Sequence, residues 1–169
     1  MSEDDRIRES IRQHGWHAIG VQARGQEPGM LYTVGLCATF DHPEIVVCGL
    51  APNVAYGLVA DMIARIKTGH GYRDGGNYSD VIEGQVVAVR VVHQTHVLCR
   101  LGYAMAYYRR ERTSHLLTAV QLVWPDRAGK LPGDPACDKS VVASQPRLDD
   151  ALAPVQLRAL LDRPGSTWN

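Results

Sequence analysis

Apolar positions fall into two periods along this chain. The helical period is clearest where Val54, Leu58, Met62 and Ile66 recur every fourth residue, with Val59 and Ile63 widening the stripe. Pro52 and Asn53 open this segment, Arg65 and Lys67 suit its negative end, and Gly69 and Gly71 stop it beyond about Thr68. A shorter helix is expected at the start. Ser2 precedes the carboxylates Glu3, Asp4 and Asp5, Ile7 and Ile11 share one face, and Gly15 is the stop. Residues 101–110 carry Ala104, Met105, Tyr107 and Tyr108 and predict a third helix, and Val155, Leu157, Leu160 and Leu161 predict a fourth over 154–162.

Strand-like runs occupy 16–21, 30–36, 44–50, 82–92 and 116–124. The first two are joined by a short turn with two glycines and a proline over 24–29, which favours a hairpin. The third has little alternation, so both of its faces are expected to be buried. Residues 37–43 and the polar stretch 72–80 read as loops, 93–98 has no clear period, and 130–146 is expected to wrap the surface. Strands joined by hairpins, with helices between them, predict an α+β domain: a mainly antiparallel sheet with flanking helices. A small, partly closed barrel is left open as a form of that sheet. The expected organisation is one domain over 1–150, followed by a C-terminal helix and frayed tail over 151–169.

Composition narrows the class. The 169 residues are 45% hydrophobic and 21% charged, enough for a core that needs no disulfide or metal. Eighteen basic and eighteen acidic residues balance, which argues against a nucleic-acid module. Cys37, Cys48, Cys99 and Cys137 are widely spaced and form no CxxC pair, so reduced thiols and a cytoplasmic location are expected. The acidic start is not read as a signal peptide, and no apolar run is long enough to span a membrane.

Motifs for familiar chemistry are missing. There is no GxGxxG after a strand, no P-loop, no GxSxG and no HExxH. What remains is a set of polar and aromatic residues at strand ends: His14-Gly15-Trp16, Tyr32-Thr33-Val34-Gly35-Leu36, His42-Pro43-Glu44 and Gln121-Leu122-Val123-Trp124-Pro125-Asp126. In this order they resemble the bacterial family called domain of unknown function 4262. The resemblance spans residues 7–145, and the last segment is its most distinctive part. The stretch ending in Gln145-Pro146 is similar to that family's proline-rich tail. The resemblance implies a bacterial cytosolic protein and carries no activity or catalytic residue with it.

Each residue has a bland reading beside a functional one. His14 either caps a helix or acts as an acid or base beside Trp16. His42, held extended by Pro43, either steadies a turn or exchanges protons with Glu44. Tyr32 and Thr33 point to opposite faces, and a buried Tyr32 hydroxyl needs a partner such as Gln121 or Asp126. Gly35 marks a bulge or the close approach of another backbone. Gln121, on the face opposite Trp124, bonds either the backbone or a ligand. His93, His96 and Cys99 lack a matching partner segment, so no metal site is assigned. Arg109, Arg110 and Arg112 read as a solvated face.

Three functions compete at this stage. In the first, His14, Trp16, Tyr32, Thr33, His42, Glu44, Gln121, Trp124 and Asp126 line an aromatic and polar pocket for a small molecule. In the second, the chain is a non-catalytic interaction or inhibitor module, with Trp124, Tyr107 and Tyr108 at a protein interface and a homodimer left open. A flavin-type enzyme, a variant of the first, rests on a faint similarity of residues 30–50 to flavin reductase-like split barrels and lacks a phosphate-binding signature. The third function, nucleic-acid binding, rests only on the basic run Arg109–Arg112. Neither a cofactor nor a reaction is assigned.

Overall fold

The first helix begins at Ser2. Its hydroxyl accepts from Asp5 N at 3.2 Å, and the Asp5 carboxylate accepts from Ser2 N at 3.1 Å. This reciprocal cap satisfies N–H groups that a helix start leaves unpaired. Helix α1 (Glu3–His14) stops at Gly15, whose φ of 87° suits glycine. The computed structural model describes residues 1–112 and 116–162. His115, which follows Ser114 at the entry of the strand expected over 116–124 and reads as a loop residue, and the end of the frayed tail expected within 151–169, beyond 162, lie outside the described residues.

Strands β1 (His17–Val21) and β2 (Met30–Val34) form the expected hairpin, with Gly20 opposite Leu31. A short helix α2 (Leu36–Phe40) leads into β3 (Glu44–Cys48), and α3 (Pro52–Ile66) follows. The chain continues through β4 (Asn77–Ile82), β5 (Gln85–Val91), α4 (Gln94–Arg100), α5 (Gly102–Arg110), β6 (Ala119–Val123), α6 (Lys139–Ser144) and α7 (Pro154–Leu161). The strands form one six-stranded sheet in the order β1-β2-β3-β6-β5-β4. Only β3 and β6 run parallel; the other neighbours are antiparallel.

The fold is therefore α+β with a mixed, mostly antiparallel sheet and flanking helices. The sheet is not closed. Strands β1 and β4 lie at its opposite edges and do not pair, so the barrel left open by the sequence does not form.

Both faces of the sheet are covered, which explains the buried centre. Helix α3 lays Ala55, Val59, Met62, Ile63 and Ile66 on Leu31, Ile45, Val47, Val87, Val89 and Leu122. On the other face Ile7 of α1, Val97 of α4 and Ala104 of α5 pack with Ile19, Tyr32, Val34, Val46 and Ala119. All five residues of β3 are buried, as its unalternating pattern predicts.

Several elements differ from the periodic reading. Residues 36–40 coil into α2 because Gly35, with φ 110°, turns the chain sharply out of β2. The strand expected over 82–92 forms as β5, Gln85–Val91, while Gly84 (φ 71°) reverses the chain so that the end of the stretch expected as a loop over 72–80 pairs with it as part of β4. Strand β4 was masked in the sequence by its polarity; as an edge strand it buries only Val81 among Asn77–Ile82. Residues 94–100 are helical, with the His93 ring accepting from Thr95 N at 3.2 Å as a cap. The wrapping segment 130–146 contains α6.

Candidate functional site

Glu44 stands at the entrance of β3 with no exposed surface. One carboxylate oxygen accepts from Gly35 N at 2.9 Å, Cys37 N at 3.3 Å and the Tyr108 hydroxyl at 2.5 Å. The other accepts from the Thr33 hydroxyl at 2.5 Å. Both hydroxyls already accept a backbone N–H: Ile45 N donates to Thr33 at 2.9 Å and Ala38 N to Tyr108 at 3.4 Å. Their protons therefore point at Glu44, and the four donors match an ionised carboxylate, which can only accept. Burial pushes the carboxyl above its ordinary value, while the bonds from Thr33 and Tyr108 oppose that shift. Burial and the adjacent Glu44 charge push the Tyr108 hydroxyl far up, so it stays a donor. Burial likewise raises the Cys37 thiol, which donates to Thr118 O at 3.5 Å. The cluster joins β2, α2, β3 and α5, and its polar atoms are mutually satisfied.

His42 is buried a short distance along the chain but does not hydrogen-bond Glu44. Its Nδ1–H donates to Pro43 O at 2.7 Å, and its Nε2 accepts from Tyr72 N at 3.0 Å. This fixes a neutral ring, and burial depresses its pKa. Tyr72 continues the contact outward through His70 and Tyr78, whose rings each lie 4.9 Å from its own.

Polar side chains at the end of β6 act as clasps. Gln121 donates to Pro146 O at 3.0 Å and accepts from Leu148 N at 3.3 Å. Gln145 bonds the Trp124 backbone twice, each at 2.9 Å, much as a neighbouring strand would. The Trp124 indole donates to Cys48 O at 2.8 Å. Asp126 accepts from Ala128 N, Lys130 N and Asp138 N, each at 2.9 Å, and these backbone donors, Asp138 N foremost, hold its carboxyl low. Together these groups strap residues 126–148 against the sheet.

Of the nine residues singled out in sequence, the structure brings Thr33 and Glu44 into hydrogen-bond contact and leaves the others dispersed. His14 is exposed in the last turn of α1, where Gly15 supplies the cap. Trp16 stacks on Tyr56 with centroids 5.7 Å apart. The Tyr32 hydroxyl accepts from Tyr103 N at 3.3 Å, so its partner is the α5 backbone rather than Gln121 or Asp126. Gly35 does meet another backbone: an added Cβ would lie 3.1 Å from Gly15 O. Its aromatic residue type suggested a place for Tyr108 at a protein interface, but it is buried on Glu44. Gln145 carried no signal beyond its place beside Pro146. The four cysteines are free. His96 is tied to Asp150 O at 2.9 Å and to Arg100 Nε at 3.1 Å, and no group of three metal-ligating side chains occurs among the described residues. The basic run is partly paired, Arg110 with Asp4.

Two cavities open beside the sheet. The larger, about 590 Å³, lies between the β1–β2 hairpin and the first turn of α3, with Gly49 and Ser144 of α6 also on its wall. Its lining is mostly apolar or backbone: Val21, Pro28, Met30, Leu31, Leu50 and Ala55 among others. Gly49 is required there. Its φ is 77°, and a Cβ would meet Ser144 O at 2.4 Å. The smaller cavity, about 300 Å³, lies beneath the strap and includes Gln121 in its lining.

This architecture defines a small α+β protein with an open mixed sheet covered on both faces, a buried carboxylate at one end of β3 and a cavity at the other. The sequence profile described as Domain of unknown function (DUF4262) matches residues 10–138, and the chain belongs to that family. No curated protein and no solved structure matches it. Among the described residues no helix is long and apolar enough to cross a membrane.

Proposed function

We propose that this protein binds a small, largely apolar molecule in the cavity between the β1–β2 hairpin and α3. The cavity carries this reading: at about 590 Å³ its size and its apolar walls suit a small organic ligand. None of the nine residues singled out in sequence lines this cavity, so the proposed site has walls other than those expected from the sequence. The protein-interaction reading draws on Val54 and Tyr56, which are about half exposed on the outer side of α3.

Gly20 supplies the test. It lines the cavity, its Cβ would meet nothing within 4 Å, and its φ is not positive. Ala18 packs on the α3 side of the sheet, so strand alternation sends a side chain at 20 the same way. Gly20→Leu fills the cavity while changing stability by less than about 1 kcal/mol. A library of small organic compounds, screened by thermal shift, yields ligands for the native chain that fail to shift the variant. Equal shifts in both proteins overturn the reading.

A further inference from the structure

The smaller cavity holds a cation that, among the described residues, has no carboxylate at ion-pair distance. Its floor is formed by Ala88 and Arg90 of β5 facing Val123 and Gln121 of β6, which are direct partners in the sheet. The strap closes it from above with Leu131, Pro132 and Val142. The Gln121 and Gln145 amides, also in its lining, are already bound to the backbone. Arg90 makes one hydrogen bond, from Nη1 to Val89 O at 3.0 Å. Among the described residues no carboxylate forms an ion pair with it. Its guanidinium has five donors in a planar fork, so most of them remain available.

The other lining charges cancel. Arg147 donates to both oxygens of Asp149, at 3.1 and 2.9 Å, and Asp149 is the one acidic residue in the lining. Over the lining alone, Arg90, Arg147 and Asp149 sum to one net positive charge. Asp150, outside the lining, also lies 3.6 Å from Arg147 Nε, and the Asp149 carboxyl is held low by Arg147 first and by Arg90 at longer range, without an ion-pair contact to Arg90. We propose that this second cavity binds a short organic monocarboxylate, with Arg90 gripping the carboxylate and Leu131, Val123 and Val142 enclosing the apolar tail. A single negative charge matches the one guanidinium that lacks an ion-pair contact and the single net positive charge of the lining, whereas a phosphate dianion brings a second charge beyond it.

Sodium butyrate is the probe. The side-chain Nε–Hε resonance of Arg90, assigned by its loss in Arg90→Lys, is followed by NMR at constant ionic strength. Butyrate shifts it saturably, butan-1-ol does not, and inorganic phosphate binds more weakly than butyrate. Followed through the backbone amides of Ala88 and Val123, butyrate binding weakens about tenfold in Arg90→Lys, which keeps the charge but loses the fork, and disappears in Arg90→Met. The titration of the native chain stands even if a variant fails to fold. The proposal is overturned if butyrate gives no saturable shift, if phosphate saturates the site at an equal or lower concentration, or if a folded Arg90→Met retains butyrate binding.

Discussion

Removing the Glu44 carboxylate tests whether its cluster is an architectural joint. Glu44→Leu keeps the apolar stem and deletes the acceptor of four donors: Gly35 N, Cys37 N, and the Thr33 and Tyr108 hydroxyls. Each buried unpaired donor costs roughly 1–3 kcal/mol, with the 3.3 Å bond from Cys37 the weakest contributor. Against this, the variant no longer buries a charge, a relief of several kcal/mol. The donors cannot turn elsewhere, because both hydroxyls are fixed by backbone N–H groups and the other two donors are backbone. The net loss is about 3–5 kcal/mol, a large share of the roughly 5–15 kcal/mol that holds a domain together. Glu44→Gln preserves the acceptor for three donors and loses roughly 1–2 kcal/mol.

The pH dependence has a definite sign. Burial raises the folded carboxyl above its ordinary value of 4.5, so the folded state binds this proton more tightly than the unfolded state. The associated stability is fully present below 4.5 and is lost as pH rises through the folded value. The stability of the native chain relative to Glu44→Gln therefore narrows as pH rises. Urea denaturation followed by tryptophan fluorescence across this range reads both effects. A loss of less than about 1 kcal/mol in Glu44→Leu, or a gap that widens with rising pH, refutes the reasoning.

Two further outcomes follow from the other buried polar groups. The His42 ring carries its proton on Nδ1 and titrates below 6.5, so the stability it supplies is complete above 6.5 and falls as pH drops through the lower folded value; nitrogen NMR of the imidazole checks both, and titration above 6.5 contradicts the assignment. Gln145→Ala removes both bonds to the Trp124 backbone, destabilises the chain by about 2 kcal/mol and speeds proteolysis within 127–146; unchanged denaturation and cleavage would show that the strap is held by other contacts.

The sequence was legible wherever one face of an element meets the core. The stripe from Val54 to Ile66 placed α3, and the unbroken apolar run at Ile45–Cys48 marked a strand buried on both sides. Strand β4 was illegible because an edge strand with one buried residue has almost no hydrophobic signal. Helix α2 was illegible because five residues span little more than one turn. The chemistry was partly legible. Glu44 and Thr33 were marked as unusual, and they do meet. Their third partner, Tyr108, comes from far along the chain, where no local period announces a contact. Gln121 was noticed as an amide within an apolar strand, and His42 and Asp126 as polar residues at strand ends; the structure gives each a backbone partner. The larger cavity escaped notice because glycines and backbone line much of it, and neither has a side-chain signature.

The most direct test of the account is amide NMR of the native chain with the best compound from the thermal-shift screen. Glycine amides occupy their own region of the spectrum, and Gly20, Gly29 and Gly49 all line the larger cavity. The account predicts that these three resonances shift together and saturably, with Ala51 and Ala55 following, and that Gly20→Leu abolishes the response. Saturable shifts that bypass all three glycines, or binding that survives Gly20→Leu unchanged, would contradict it.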